Sequence, residues 1–253
     1  PKGAILTHGN VLFASLNAIQ HGDSKGPILI CVPMFHVSGM TTQALPTIYR
    51  GQPIIFQRFF DPEHALQLIE RERVAGMLAV PAVLLFMSQV AGFADYDLSS
   101  MEAFFVGGAP CPVPVLRTYL ARDVKIRQGF GMTESTGTGI VLEPEDNERK
   151  LGSCGRPMFH TNACVWDDSG KPAAPNEIGE LMMRGPVITK GYWNLPEQTK
   201  HSFTDGWFHT GDIARMDEEG YIYVVDRMKD MLITGGENVY PAEVEDVIMG
   251  HPK

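Results

Sequence analysis

The fold is decided by the stretch Val74-Ala-Gly-Met-Leu-Ala-Val-Pro-Ala-Val-Leu-Leu-Phe-Met-Ser-Gln-Val-Ala-Gly-Phe-Ala94. It carries no charged residue, and a helix of about 20 apolar residues is long enough to cross a bilayer. Pro81, Ser88 and Gln89 interrupt the apolar run, however, and proline is well suited to the first turn of a helix. We therefore predict a buried strand within Val74–Val80, then a helix that begins at Pro81, and no transmembrane segment.

The same alternation of apolar run and helical pattern extends from Ile28 to about Arg127. Asp61 and Pro62 are typical of the N-cap and first residue of a helix, and Pro112 or Pro114 opens another. Alternating strands and helices predict an α/β fold with a doubly wound parallel sheet. The predicted strands are Ile28–Val32, Pro53–Phe56, Met77–Val80, Ala103–Val106 and Val124–Arg127.

The pattern changes near Leu151, where short apolar runs are separated by turns rich in glycine, proline and aspartate. This change, with a hairpin at Met216–Tyr223, predicts a small antiparallel β-barrel. After it we expect a strand around Met231–Ile233 and a helix opened by Pro241, as the start of a C-terminal α+β domain. The predicted strands of the barrel include Asn162–Trp166, Gly179–Arg184 and Tyr221–Val225. The predicted domains are residues 1–150, 151–226 and 227–253.

The composition narrows the class of protein. Of the 253 residues, 44% are apolar and 20% charged, which is typical of a soluble globular chain. A net charge of −9 argues against binding nucleic acid or an anionic membrane, because both need clustered lysine and arginine. The four cysteines form no Cys-x-x-Cys pair, so we expect reduced thiols in a cytoplasmic protein rather than a zinc site.

Two clusters of candidate functional residues follow predicted strands. Gly107–Pro110 follows Ala103–Val106, at the sheet edge where doubly wound folds bind ligands, although a tight turn into the next helix explains it as well. Gln128–Glu134 follows the next strand and offers an aromatic ring, a hydroxyl and a carboxylate. A single carboxylate suffices for a Mg²⁺ ion that also binds phosphates, but the same residues could simply cap a helix.

Two further clusters lie later in the chain. Asp212, within His209–Asp212, could accept hydrogen bonds from both hydroxyls of a ribose, and Arg227 could bind the same sugar or a phosphate. The alternative is a surface pair flanking a hairpin. The last cluster, Lys229–Glu243, contains a polar turn at Thr234–Asn238, which could equally be a loop before a helix.

Taken in order, the motifs resemble those of the adenylate-forming superfamily, which comprises acyl-CoA synthetases, luciferases and peptide-synthetase adenylation domains. The resemblance spans essentially the whole chain, and fatty acyl-CoA synthetases are the most similar in style. It rests on Pro1–Gly3, Pro33–His36, Gly107–Pro110, Phe130–Glu134, Gly185–Tyr192, His209–Asp212, Asp226–Arg227 and Gly235–Pro241.

The resemblance implies a ligase that uses ATP, Mg²⁺ and CoA. In that family a carboxylate attacks the α-phosphate of ATP and releases pyrophosphate, and a thiol, usually that of CoA, then attacks the acyl-adenylate. By the same resemblance, Thr133, Glu134 and Lys229 are catalytic, with Glu134 the Mg²⁺ ligand and Lys229 the hinge of the C-terminal domain. The implied nucleotide-binding residues are Gly108, Ala109, Pro110, Gln128, Gly129, Phe130, Gly131, Met132, Thr133, Asp212, Val224 and Arg227. The implied acyl-channel residues are His36, Gly107 and Met132, and Gly235 and Gly236 shape the pantetheine tunnel.

The resemblance also bears on the substrate and on the extent of the chain. Amino-acid-activating relatives have an aspartate where this chain has His36, so we expect a fatty or aryl acid rather than an amino acid. The style of Asp226–Glu245 resembles fatty acyl-CoA synthetases most, so we expect a fatty acid, with an aryl acid as the alternative. The body of the phosphate loop and the lysine that assists adenylation are missing, so we expect an internal fragment with little activity alone. A nucleotide-binding module without catalysis is the alternative from another class. An oligomer is possible.

Overall fold

The computed structural model describes residues 2–21, 25–109, 111–228, 230, 232–234, 237–239, 241, 244, 247 and 248. Its helices are α1 (His8–Gln20), α2 (Val37–Gly39), α3 (Leu45–Tyr49), α4 (Pro62–Arg71), α5 (Pro81–Ser88), α6 (Val113–Leu120) and α7 (Pro196–His201). A π-helical segment, Met40–Ala44, joins α2 to α3 without a break, and 3₁₀ turns occupy Phe93–Asp95, Thr133–Ser135 and Pro144–Asp146.

The strands form two large sheets and one small one. In chain order they are β1 (Ile28–Ile30), β2 (Ile54–Phe56), β3 (Gly76–Ala79), β4 (Ala103–Val106), β5 (Ile126–Met132), β6 (Gly137–Leu142), β7 (Arg156–Pro157), β8 (Asn162–Trp166), β9 (Ile178–Arg184), β10 (Phe203–Thr204), β11 (Trp207–Met216), β12 (Ile222–Arg227), β13 (Leu232–Thr234) and β14 (Glu237–Val239).

The first sheet has the strand order β2-β1-β3-β4-β5-β6-β7. Its first five strands are parallel, whereas β6 and β7 are antiparallel to their neighbours. Helices α4, α5 and α6 pack on one face over a core that includes Leu66, Leu84 and Phe104. The other face is covered by the helical segment 37–49, where Ala44 packs with Ile30. The predicted doubly wound α/β layer is therefore confirmed.

Local signals start the helices at the predicted residues. Asp61 caps α4, with its carboxylate accepting from the His64 N–H at 2.7 Å, and Pro62 is the first helical residue. Helix α5 begins at Pro81, directly after β3. The apolar stretch Val74–Ala94 therefore contains a strand, β3, and a helix, α5. Within the described residues, no helix combines the length and apolar character that a bilayer span requires.

The first sheet departs from the prediction at β5. The sequence predicted a strand over Val124–Arg127 with the Gln128–Glu134 motif beyond it, but β5 continues to Met132. The reason is β6, which pairs with β5 and supplies hydrogen-bond partners as far as Met132. The motif is therefore held largely within a strand rather than in a free loop.

The second sheet is a curled antiparallel half-barrel built around β11, which pairs with β9, β10 and β12. A bulge after Ile213 bends β11 between partners. The predicted antiparallel section after Leu151 and its hairpin are confirmed, since Asp217 N–H donates to the Tyr221 carbonyl at 2.9 Å. Beyond it, β13 and β14 form an antiparallel pair, and Pro241 is helical. Met231 lies outside the described residues, and the predicted domain boundaries stay predictions.

The two large sheets are joined at Gly155. The Ile222 N–H of β12 donates to the Gly155 carbonyl at 2.8 Å, and the next residues form β7 on the first sheet. Gly155 has φ +100°, and a Cβ there would lie 1.8 Å from the Val141 carbonyl oxygen. Only glycine permits this close approach.

We expect Gly155→Ala to lower the free energy of unfolding by roughly 3 kcal/mol or more, because backbone has to move away from the new methyl group. Gly152→Ala is the matched control. Gly152 also has a positive φ, +84°, but its Cβ would meet nothing within 4 Å. The control should lose about 1 kcal/mol from backbone strain alone. Urea unfolding of both variants measures the difference, and equal losses would contradict the importance of the close approach.

Candidate functional site

Small residues bring the carboxyl ends of β4 and β5 close together. The Gly107 N–H donates to the Ala79 carbonyl at 3.3 Å, and a Cβ at Gly107 would lie 3.0 Å from the Gly129 carbonyl oxygen. Gly108 and Ala109 follow as exposed residues, and Gly108 has φ +85°. The backbone is therefore accessible at the edge where doubly wound sheets bind ligands. Pro110 lies outside the described residues.

The neighbouring β5 forms the next part of this edge. Gln128 is buried within the sheet opposite Val106, while Phe130 is half-buried and packs against the core of the half-barrel. Gly131 has no room for a side chain, because its Cβ would lie 2.2 Å from the Gly137 carbonyl oxygen. The close approach of β5 and β6 therefore requires glycine at this position.

The turn between β5 and β6 is held on several sides. Thr136 is fully buried with φ +58°, an uncommon conformation for a residue other than glycine. Its carbonyl accepts from the Thr41 hydroxyl, and its own hydroxyl donates to the Val187 carbonyl, both at 2.7 Å. Ser135 is also buried and accepts from the Met132 N–H at 2.9 Å. This support presents the exposed Thr133 and the half-buried Glu134 on a rigid turn.

Glu134 has a specific partner on the segment that follows β9. The Tyr192 hydroxyl donates to Oε1 of Glu134 at 2.7 Å, and the Thr189 N–H donates to the Glu134 carbonyl at the same distance. Burial, and next the hydrogen bond to Glu134, raise the pKa of Tyr192. The Nζ of Lys2 lies 4.7 Å from the centre of the Tyr192 ring. The carboxylate is thus oriented through one oxygen.

The half-barrel contributes a second carboxyl, Asp212 on β11. Asp212 is 6% exposed and pairs with Arg227 of β12, whose Nε lies 3.5 Å from Oδ1 of Asp212. Burial raises the pKa of Asp212 to about 6, although Arg227 and a hydrogen bond with Thr210 lower it. The negative charge of Glu134 also raises this pKa, so the two carboxyls lie in one electrostatic environment.

Other predicted site residues are placed less directly. His36 is exposed and caps α2, its Nδ1 accepting from the Ser38 N–H at 3.1 Å. Val224 of β12 is half-buried and pairs with Ala214, two residues from Asp212. The remaining predicted positions lie outside the described residues: Lys229, Gly235 and Gly236.

A cavity of about 130 Å³ lies between the helical segment 37–49 and the first sheet. One end is lined by Thr136 and Thr138, next to the turn that carries Glu134. The other end reaches Ala103 and Arg127, at the amino ends of β4 and β5. It therefore runs along the sheet from the carboxyl edge toward the opposite edge.

The donor set around Glu134 suits one kind of metal ion. No group of three or more acidic, histidine or cysteine side chains able to hold a metal occurs in the described part of the chain. Mg²⁺ bound with a phosphate substrate needs only one or two carboxylates from the protein, whereas a structural metal needs a full cage. Glu134, with one oxygen held by Tyr192, fits the first case.

Sequence reasoning missed the roles of Tyr192 and Thr136. Tyr192 ends the Gly185–Tyr192 motif, so the motif itself could have signalled it, but its contact with Glu134 spans 58 residues. Thr136 carried no local signal, since its importance comes from hydrogen bonds to two distant segments.

A doubly wound sheet is joined to a half-barrel, with Glu134 near the carboxyl edge of the sheet and Asp212 of the half-barrel within its electrostatic influence. This arrangement defines a candidate site for a polar ligand. The chain belongs to the AMP-binding enzyme family, whose sequence pattern matches residues 1–193. Feruloyl-CoA synthase of Amycolatopsis sp is 41% identical over 254 residues, which cover 100% of this chain and 52% of that protein. Long-chain-fatty-acid–CoA ligase FadD13 of Mycobacterium tuberculosis is 43% identical over 257 residues, which cover 100% of this chain and 50% of that protein.

Solved structures agree with the fold. The o-succinylbenzoate CoA synthetase MenE of Bacillus subtilis, in complex with its acyl-adenylate OSB-AMP, matches with a TM-score of 0.93 and 35% identity, covering 100% of this chain and 51% of that one. The same synthetase in complex with ATP and magnesium ion matches with a TM-score of 0.92 and 34% identity, covering 100% of this chain and 52% of that one. The chain thus spans about half the length of the relatives it matches.

We expect Asp212→Asn to stabilise the protein in a pH-dependent way. Because the folded-state pKa, about 6, lies above the ordinary value of 3.8, the folded protein keeps a proton that the unfolded chain has lost. Wild-type stability therefore falls as pH rises from about 4 to 6 and levels off above, and asparagine does not share this fall. The variant should gain about 3 kcal/mol over wild type at pH 7 and little at pH 4. Urea unfolding of both proteins at pH 4 and pH 7 measures this gain. The same difference in unfolding free energy at the two pH values would show that Asp212 ionises normally.

Proposed function

We propose that the full-length protein is an AMP-forming acid–CoA ligase that activates a carboxylic acid with ATP. The observation that carries the proposal is Asp212, a buried carboxyl that shares its surroundings with Glu134 and has Arg227 at 3.5 Å. A raised pKa means that the surroundings compensate the ionised form incompletely. A ligand that donates hydrogen bonds to Asp212 would supply what is missing.

A ribose is such a ligand. Its 2′ and 3′ hydroxyls would each donate to one oxygen of Asp212, while Arg227, whose side chain is 62% exposed, would contact the sugar or a phosphate. The adenine would lie against the backbone of Gly108–Pro110, with Phe130 beside it. The accessible backbone at this edge supports that placement, and the remaining contacts would come from Gln128, Gly129, Gly131, Met132 and Val224.

The phosphates would lie at the turn between β5 and β6. Thr133 is exposed there and would donate to a phosphate oxygen, and Glu134 would hold Mg²⁺ through the carboxylate oxygen that Tyr192 leaves available. The ion, when bound, would neutralise charge on the phosphates. A turn held from both sides by Thr41 and Val187 keeps Thr133 and Glu134 in position without rearrangement.

The proposed reaction has two steps. A carboxylate oxygen of the acid bonds to the α-phosphorus of ATP, and the bond from that phosphorus to pyrophosphate breaks. The thiolate of CoA then attacks the acyl carbon, and AMP leaves with the electron pair of the acyl–oxygen bond. We propose Lys229 as the hinge between the two steps and Gly235 and Gly236 as the approach for CoA, on the family resemblance alone.

The cavity is the proposed acyl site, and the family resemblance implies that His36, Gly107 and Met132 border its entrance. Its volume of about 130 Å³ is close to the roughly 150 Å³ that accommodates a benzene ring. This size favours an aryl acid, in keeping with the feruloyl-CoA synthase relative. A fatty acid is the second candidate, because the relative at 43% identity is named a long-chain-fatty-acid–CoA ligase.

We also propose a cytoplasmic location. The cysteines within the described residues are free thiols: Cys31, Cys111, Cys154 and Cys164. Burial raises the pKa of the Cys31 thiol to about 11 and that of Cys111 to about 12, which keeps both protonated and unreactive. Unpaired, inert thiols are usual in a reducing compartment.

We expect Glu134→Gln in the full-length protein to slow acid-dependent ATP–pyrophosphate exchange by about 100-fold or more, with the loss growing as Mg²⁺ becomes limiting. The amide keeps the size of the side chain and the acceptor for Tyr192 but loses the charge that attracts the ion. Glu145→Gln, at an exposed carboxylate, is the control and should leave exchange unchanged. Equal exchange by wild type and Glu134→Gln at every Mg²⁺ concentration would overturn the assignment.

A further inference from the structure

The cavity beneath the site contains a polar group without a partner. Gln43 lines the cavity and is 6% exposed, and its Nε2 has no hydrogen-bond partner among the described residues. Neighbouring polar groups are satisfied: the Thr47 hydroxyl donates to the Gln43 carbonyl at 2.7 Å, and the Thr41 hydroxyl donates to the Thr136 carbonyl at 2.7 Å. A buried amide nitrogen with two hydrogens and no acceptor is unfavourable in a native protein unless something else binds it.

The orientation of this amide is set by the sheet. The Leu78 N–H of β3 donates to Oε1 of Gln43 at 2.9 Å. Turning the amide over would place the Nε2 hydrogens against that N–H, so the oxygen has to face Leu78 and the nitrogen has to face elsewhere. The identity of the unpaired donor therefore follows from the chemistry of the Leu78 contact.

The helical segment that carries Gln43 is itself unusual. Met40–Ala44 is π-helical between two α-helical stretches, and such insertions occur frequently at functional sites. The wider turn carries Thr41, Thr42 and Gln43 in succession, and all three line the cavity. Thr41 at the same time holds the turn that presents Glu134, through Thr136. The segment thus connects the cavity to the proposed reaction centre.

The register of the sheet gives the separation, along the strands, between the level of Leu78 and the level of Gly131 near the turn that carries Glu134. Leu78, which Gln43 contacts, pairs with Phe105, and Phe105 pairs with Arg127. Gly131, which pairs with the cavity-lining Thr138, lies four residues further along β5. Four residues of strand span about 13 Å. An aryl acid with a two-carbon spacer, plus one hydrogen bond at its far end, matches this component along the strands.

We propose that Gln43 determines specificity by donating from Nε2 to an oxygen substituent on the ring of an aryl acid bound in the cavity. This inference rests on the proposed function, since it takes the cavity as the acyl site. It names the substrate class: a ring-sized acid whose far end carries an ether, hydroxyl or carbonyl oxygen. An unbranched alkyl acid would leave Nε2 buried and unpaired, so the cavity discriminates against it.

The test compares acids of matched shape in acid-dependent pyrophosphate release by the full-length protein. The probes are 3-(4-methoxyphenyl)propenoic acid, which has the acceptor oxygen, 3-(4-ethylphenyl)propenoic acid, which lacks it, and decanoic acid. Wild type should favour the methoxy acid over the ethyl acid by about tenfold or more in kcat/KM, with decanoic acid slower than the methoxy acid. Gln43→Leu should reduce the ratio of methoxy to ethyl acid to within about twofold.

Two further variants keep the test decisive. Gln43→Glu retains an acceptor for the Leu78 N–H and, when ionised at alkaline pH, has no hydrogen to donate. It should therefore also lose the preference for the methoxy acid over the ethyl acid. This variant tests the proposal even if Gln43→Leu folds poorly. Thr47→Val removes a polar group of the same cavity that already has its partner, and should keep the tenfold ratio. Melting temperatures report whether each variant is folded.

The outcomes separate the two proposals. A methoxy-to-ethyl ratio that survives in both Gln43 variants, or faster release with decanoic acid than with either aryl acid, would overturn the role of Gln43 while leaving the ligase activity in place. Absence of pyrophosphate release with every acid would instead contradict the proposed function, and the specificity inference with it.

Discussion

The two large sheets meet where the backbone carbonyl of Gly155 accepts from the Ile222 N–H at 2.8 Å, with the Val141 carbonyl oxygen filling the space that a side chain would need. The rest of the site depends on this contact. Glu134 is carried by the first sheet, at the turn after β5, and Asp212 by the second, in β11. The relative position of the two carboxyls therefore depends on how the sheets join.

That junction makes the site electrostatically unfavourable without a ligand. Asp212 is buried beside another negative charge and is compensated by a partly exposed arginine at 3.5 Å, so its pKa rises to about 6. Glu134 is held by Tyr192, and Tyr192 has Lys2 near its ring. A nucleotide with its metal ion would supply hydroxyl donors to Asp212 and positive charge to Glu134. The stability that the fold gives up at this edge is thus available for binding.

Much of the fold is predictable because its signals are local. Ala103–Val106 and Asn162–Trp166 were predicted with the bounds that the structure gives them, and Asp61 and Pro81 mark helix starts through their own chemistry. By contrast, β6 was missed. Its two glycines, Gly137 and Gly139, have little strand character, and the strand forms because β5 and β7 pair with it.

The candidate site, like the fold, is predictable only where its signals are local. The residue types of the motifs, such as Glu134 and Asp212, are compatible with metal and ribose chemistry. Only the order of the motifs along the chain predicts these roles, which remain predictions. Local patterns do not reveal which residues become partners across the chain. Gln43 matters because its amide meets the Leu78 N–H 35 residues away, which leaves Nε2 unpaired. Such a role arises only from tertiary packing.

We propose that Asp212 is an incompletely compensated carboxyl and that a bound nucleotide supplies the missing hydrogen-bond donors. The most direct measurement is an NMR titration of the Asp212 side-chain carboxyl carbon, first in the free protein and then with saturating AMP. We expect a pKa near 6 in the free protein and a fall of about one unit or more with AMP, since hydroxyl donors favour the ionised form. A pKa that AMP leaves unchanged would contradict it.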